Sequence, residues 1–90
     1  MNSIYKYELE MEDEQILTLP LNSSILNVKG VDGKPQLYAV VNLDEEETED
    51  RKILMFGTGH KIEDNLKAHY VGTLLLYAGA QVYHVFEKVR

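Results

Sequence analysis

A mostly-β chain is predicted here: a small antiparallel sandwich or partly open barrel of about six to seven strands, with at most one short helix. Three observations point that way. Apolar and polar residues alternate with period two in several short segments. Gly, Pro and Asp/Asn signals punctuate the chain between those segments. The 90 residues suffice for one domain, spanning residues 1–90, and for no more.

The elements follow in order. Ile4 to Met11 alternates strictly, with Tyr5, Tyr7, Leu9 and Met11 on one side and Lys6, Glu8 and Glu10 on the other. Ile16-Leu17-Thr18-Leu19 forms a second strand, stopped by Pro20, which has no N–H for a central ladder. Ile25, Leu26, Val28 and Val31 mark a third strand, and Asp32-Gly33 is the strongest hairpin signal in the chain. Its partner is Gln36 to Leu43, near-continuously apolar and therefore central, with Pro35 at its start. The acidic run 44–50 reads as an exposed loop, followed by a fifth strand over Lys52 to Phe56. Ile62 to His69 is long enough for one or two helical turns, which need packing to persist. Tyr70 to Tyr77, a tight turn at Ala78-Gly79-Ala80, and Gln81 to Lys88 complete the chain. In the last strand Val82, His84 and Phe86 share one face, and Tyr83, Val85 and Glu87 the other. The expected order is three successive antiparallel pairings with the final hairpin closing the sheet.

Composition narrows the function. With no cysteine, disulfides, thiolate metal sites and a cysteine nucleophile are all excluded. A short chain without such staples favours a homo-oligomer. No run approaches the roughly 18 apolar residues of a membrane helix, and Met1 to Met11 lacks a signal-peptide core, so a soluble, cytoplasmic protein is expected. The net charge of −6 is concentrated: Asp44, Glu45, Glu46, Glu47, Glu49 and Asp50 supply six of fifteen acidic residues. A second cluster runs from Glu8 to Glu14. Neither suits a nucleic-acid backbone, whose affinity comes from clustered Lys and Arg. A small anionic molecule, needing a single local pocket, stays open.

The donor-rich stretch is Gly57-Thr58-Gly59-His60-Lys61. Two glycines around a threonine let the backbone turn sharply and present N–H groups to an anion. Thr58, Gly59, His60 and Lys61 are the candidate ligand-binding residues; the alternative is a plain turn leaving a strand. The stretch matches neither a Walker loop nor a dinucleotide fingerprint. His60, His69 and His84 are spaced unlike any metal-ligand pattern, so no metal or cofactor is expected. The carboxylates lie in solvated runs where nothing separates their pKa values, and no nucleophile motif is present, which argues against an enzyme. Six tyrosines in a chain without tryptophan exceed what so small a core can enclose, and favour a binding surface.

Several pieces taken together resemble a known family. These are Ile4-Tyr5-Lys6-Tyr7-Glu8-Leu9, Ile25-Leu26-Asn27-Val28, Pro35-Gln36-Leu37-Tyr38-Ala39-Val40-Val41, Gly57-Thr58-Gly59-His60, Tyr70-Val71-Gly72-Thr73 and His84-Val85-Phe86-Glu87. In this order they resemble small uncharacterised proteins found mainly in bacteriophages and prophages, known only as a domain of unknown function. The sequence departs in its long acidic loop and at Tyr83, where a bulkier aromatic is expected. The resemblance implies a phage setting and no assigned activity. By analogy of setting, the expected function is a non-enzymatic binding protein that sequesters an anionic small molecule, such as a nucleotide signal, to counter host defence. The alternatives are an interaction module that inhibits a host protein through its acidic loops, or a minor virion or assembly protein.

Overall fold

The computed structural model describes residues 1–89. It contains seven strands: β1 (Asn2–Glu8), β2 (Glu14–Pro20), β3 (Ser24–Val31), β4 (Lys34–Asn42), β5 (Thr48–Gly57), β6 (Ala68–Leu76) and β7 (Gln81–Lys88). They pair antiparallel into two sheets, ordered β1-β4-β3 and β2-β5-β7-β6. The sheets do not close into a barrel. They stack as a flat sandwich, with backbone extents of 40 × 33 × 16 Å.

The alternation read from the sequence sets which side chains fill the gap between the sheets. Leu37, Ala39 and Val41 of β4, with Val28 of β3 and Leu9, meet Ile53 and Met55 of β5, Leu74 and Leu76 of β6 and Val85 of β7. β4 is central in its sheet, as its apolar run implies, and every second residue from Pro35 to Val41 is buried. Burying a chain of this size relies mainly on such side chains, each contributing about 1.5–3 kcal/mol of transfer free energy.

Two hairpins follow from turn chemistry. Asp32 (φ 52°) and Gly33 (φ 76°) both lie in the left-handed region, as a two-residue type I′ turn between Val31 and Lys34 requires. The other hairpin joins β6 and β7 through Tyr77 to Ala80, with Tyr77, Ala78 and Gly79 all at positive φ. The two hairpin tips touch: a Cβ on Gly33 would meet the Tyr77 ring at 3.3 Å. Further along, β3 and β6 come so close that a Cβ on Gly30 would lie 2.2 Å from the Leu75 carbonyl oxygen. The sandwich is thus sealed along its β3/β6 side by a glycine.

Three expectations are corrected. No helix occurs among the described residues; 62–67 are irregular, with a single turn bond from Leu66 N–H to the Glu63 carbonyl (3.2 Å), and 68–69 already belong to β6. A segment that short had no packed apolar face to hold it helical. The acidic run 44–50 is not wholly a loop, because β5 begins at Thr48 and pairs Glu49 and Asp50 with Leu19 and Thr18 of β2. There the Thr18 hydroxyl donates to Asp50 (2.8 Å), and the Asn22 N–H donates to Glu49 (2.6 Å), so these carboxylates serve the ladder and the following crossover. Finally, the pairing is not three successive neighbours: β1 pairs with β4 and β2 with β5, leaving only β3/β4 and β6/β7 as hairpins.

Candidate functional site

At the end of β5 the chain leaves the sheet through the predicted Gly-Thr-Gly-His turn. His60 N–H donates to the Gly57 carbonyl (3.0 Å), closing a four-residue β-turn whose third position, Gly59, sits at φ +90°. Nothing lies within 4 Å of a Cβ built on Gly59, so glycine is required there by backbone conformation rather than by space. Gly57 instead makes room for the His60 ring in its present position, which a side chain there would push aside. A Cβ on it would meet the His60 ring at 2.9 Å, and its N–H donates to His60 Nδ1 (3.2 Å). That bond leaves Nδ1 unprotonated and puts the proton of neutral His60 on Nε2. The Thr58 N–H donates to the Val82 carbonyl at 3.4 Å. The N–H groups of Gly57, Thr58 and His60 are therefore committed within the protein, and the open anion nest expected from the glycines is reduced to Gly59 and Lys61.

Thr58 begins a chain of side-chain hydrogen bonds that the sequence did not reveal. Its hydroxyl lies 2.8 Å from His84 Nε2; His84 Nδ1 lies 3.0 Å from the Thr73 hydroxyl; and Thr73 lies 2.6 Å from the Tyr70 hydroxyl. Tyr70 and Thr73 look misplaced for a shared face at a spacing of three. A β-bulge between Tyr70 and Gly72 absorbs one residue and restores them to the same side, opposite Phe86 and His84. Beside this polar row the rings of Phe56, Phe86 and Tyr70 pack edge to face, at 5.9 and 5.5 Å between centroids. The predicted partition of β7 holds: Val85 and Glu87 are buried and Tyr83 packs on the core, while His84 and Phe86 face outward.

Two of the four candidate ligand residues, Thr58 and His60, border one space; Gly59 and Lys61 do not. Gly57, Thr58 and His60 border an open depression of about 390 Å³, completed by Gln81, Val82 and Tyr83, with Gly59 at the tip of the same turn. Lys61 lies on the other side of the turn. It borders a separate hollow of about 270 Å³ with Asp13, Glu14, Glu63 and the apolar floor of Leu54 and Phe56. His69 borders neither; it lies beside Glu87, Lys88 and Val89. No group of three or more His, Cys, Asp or Glu side chains converges to hold a metal among the described residues.

A second polar constellation escaped the sequence reading. Arg51 and Glu87, 5% and 9% exposed, face the sandwich interior from β5 and β7. Arg51 Nε donates to Glu87 Oε2, Nη2 to Glu87 Oε1 (3.0 Å) and Nη1 to the Ser23 carbonyl (2.9 Å). Glu49 lies 3.9 Å from the same guanidinium. Ser23 belongs to the crossover from β2 to β3, and its hydroxyl donates to the Pro20 carbonyl (2.6 Å). One planar fork thereby joins β5, β7 and the crossover between the two sheets. The signal was present in the alternation: Arg51 falls in phase with Ile53 and Met55, and Glu87 in phase with Val85. No buried side-chain nitrogen or oxygen lacks a partner among the described residues.

The chain matches, over residues 1–90, the family described as a domain of unknown function, DUF7352, and belongs to it. Neither a curated protein nor a solved structure matches it.

Proposed function

We propose that this member of a family without an assigned activity is a non-enzymatic binding protein for a small anionic molecule that carries a ring, such as a nucleotide. The observation that supports this reading is the depression in which Thr58, His60, Gln81 and Tyr83 border one space. His60 offers Nε2–H, Gln81 an amide and Thr58 a hydroxyl, all suited to phosphate or carboxylate oxygens, and Tyr83 supplies a ring edge or face for a base. Lys61, on the opposite side of the turn, contributes charge from a distance and no contact. The resemblance to phage and prophage proteins extends the proposal: in the host cytoplasm such a protein would sequester a nucleotide signal of host defence. The competing reading, an acidic mimic of nucleic-acid charge, loses support because Glu49 and Asp50 are engaged within the fold.

Thermal-shift and calorimetric titration of the chain with mono-, di- and cyclic dinucleotides tests the proposal, since a ligand that binds only the native state must raise its stability. A concentration-dependent rise in Tm that His60→Ala abolishes is the expected outcome. His60 is exposed, so that variant keeps the fold. Absence of any rise with every nucleotide at large excess would refute the reading.

A further inference from the structure

A sandwich of two open sheets has four edges, and three of these carry a device that discourages further pairing. β2 ends on Pro20, which offers no N–H. β3 is interrupted by a bulge between Ile25 and Asn27, and β6 by one between Tyr70 and Gly72. These two edges also lie against each other at Gly30. β1 differs. It runs from Asn2 to Glu8 in unbroken register with β4, without proline and without a bulge.

The phase of its ladder follows from the bonds at either end. Leu9 N–H donates to the Pro35 carbonyl (2.9 Å), and Leu43 N–H donates to the Met1 carbonyl (2.8 Å). Odd-numbered residues thus direct their backbone groups to β4. Asn2, Ile4, Lys6 and Glu8 turn theirs outward, presenting four N–H and four C=O groups along a straight edge. Side chains show the same incompleteness. Tyr5 stands opposite Ala39, so it lies on the core-facing side of its sheet, yet it is 48% exposed. The sheet ends beside it, and among the described residues no further strand pairs there. Ile4, on the outer face, is 60% exposed.

We propose that β1 is an interface with a second copy of this chain. Two β1 strands pair antiparallel across a two-fold axis at Tyr5 and merge two three-stranded sheets into one of six. An antiparallel strand edge is self-complementary by symmetry, so the outward donors of one copy meet the outward acceptors of the other. With the axis at Tyr5 the whole strand is used. Asn2 faces Glu8 of the second copy, giving its carboxylate an amide donor; Ile4 faces the stem of Lys6; and the two Tyr5 rings cover each other on the core side. This inference is independent of the ligand proposed above.

Sedimentation across a concentration series, with circular dichroism to check folding, tests it in three variants. The unmodified chain should sediment at twice its 10.3 kDa mass. Ile4→Pro removes an outward N–H and no bond to β4, so it should yield a folded monomer. Ile4→Lys keeps every backbone group but sets like charges opposite each other twice, and should weaken the dimer roughly tenfold; it decides the matter if the proline variant fails to fold. Ile16→Pro makes the equivalent change on the free edge of β2 and should leave the dimer intact. A wild-type monomer at all concentrations overturns the proposal. So does a dimer that survives Ile4→Lys unweakened, or one that Ile16→Pro dissociates.

Discussion

The paired strands β5 and β7 carry a polar cluster at each end, and the two clusters solve opposite problems. At one end Arg51 and Glu87 are buried against the core, and the fork bonds of the guanidinium are matched within the protein. At the other end Thr58, His84, Thr73 and Tyr70 are linked just as continuously but lie at the surface, beside an open depression. Taking a charge pair out of water is costly and is tolerated only when its partners are complete. A surface row of hydroxyls and an imidazole bears no such cost, and water can replace any of its members. Connectivity alone therefore does not distinguish a fastening from a site; burial does.

The largest expected effect separates the two ends directly. Glu87→Ala leaves the Arg51 guanidinium buried without its main counter-charge and should cost about 3–5 kcal/mol in urea denaturation, with Glu49 holding it to the lower part of that range. Replacing both, as Arg51→Met with Glu87→Leu, removes the charge along with its partner. That double variant should lie within about 1–2 kcal/mol of wild type, the residue being the lost donor to the Ser23 carbonyl. Equal losses in the single and double variants would mean that the fork stabilises rather than fastens. At the opposite end His84→Ala breaks two hydrogen bonds yet should cost about 1 kcal/mol or less, because the partners it leaves are wet. A loss as large as that of Glu87→Ala would erase the distinction between the ends.

The smallest effect lies outside both clusters and serves as a control on pH titrations. Burial, with a smaller contribution from the neighbouring Tyr5, raises the Tyr7 phenol above its usual value near 10. The folded state then holds that proton more tightly than the unfolded chain. Its contribution is fully present below about pH 10 and declines as pH rises above it toward the raised value. Tyr7→Phe should flatten this alkaline decline slightly, as read from Tm measured between neutral pH and pH 11.

The sequence carried the strands well and their neighbours poorly. Asp32-Gly33 announced its hairpin because a type I′ turn needs two positive-φ residues, a demand written in local chemistry. That β2 pairs with β5 across the intervening hairpin is decided by which apolar faces pack best, and no local signal records it. The donor turn was legible down to its residues, but its geometry was not. His60 and Lys61 are adjacent in sequence, yet their side chains leave the turn toward different hollows, which spacing alone does not record. His84 was visible as an outward residue, yet its link to Tyr70 hung on a bulge that spacing rules count as a phase error. Arg51 and Glu87 were readable in phase with apolar neighbours. They went unnoticed because a charged residue in a strand is ordinarily assigned to the wet face.

Gly30 has a bearing on how relatives of this chain are compared. By surface area it is an exposed residue, and no ligand or partner is needed to explain it. Yet any side chain there would collide with the Leu75 backbone and with the tip of Leu76, so substitution is closed to it. Among homologues such a position should be invariant and solvent-facing, the combination usually taken as the mark of a working site. In this fold that signature arises from two sheets meeting at one edge. An alignment of the family should discount column 30 before reading function from its conserved surface.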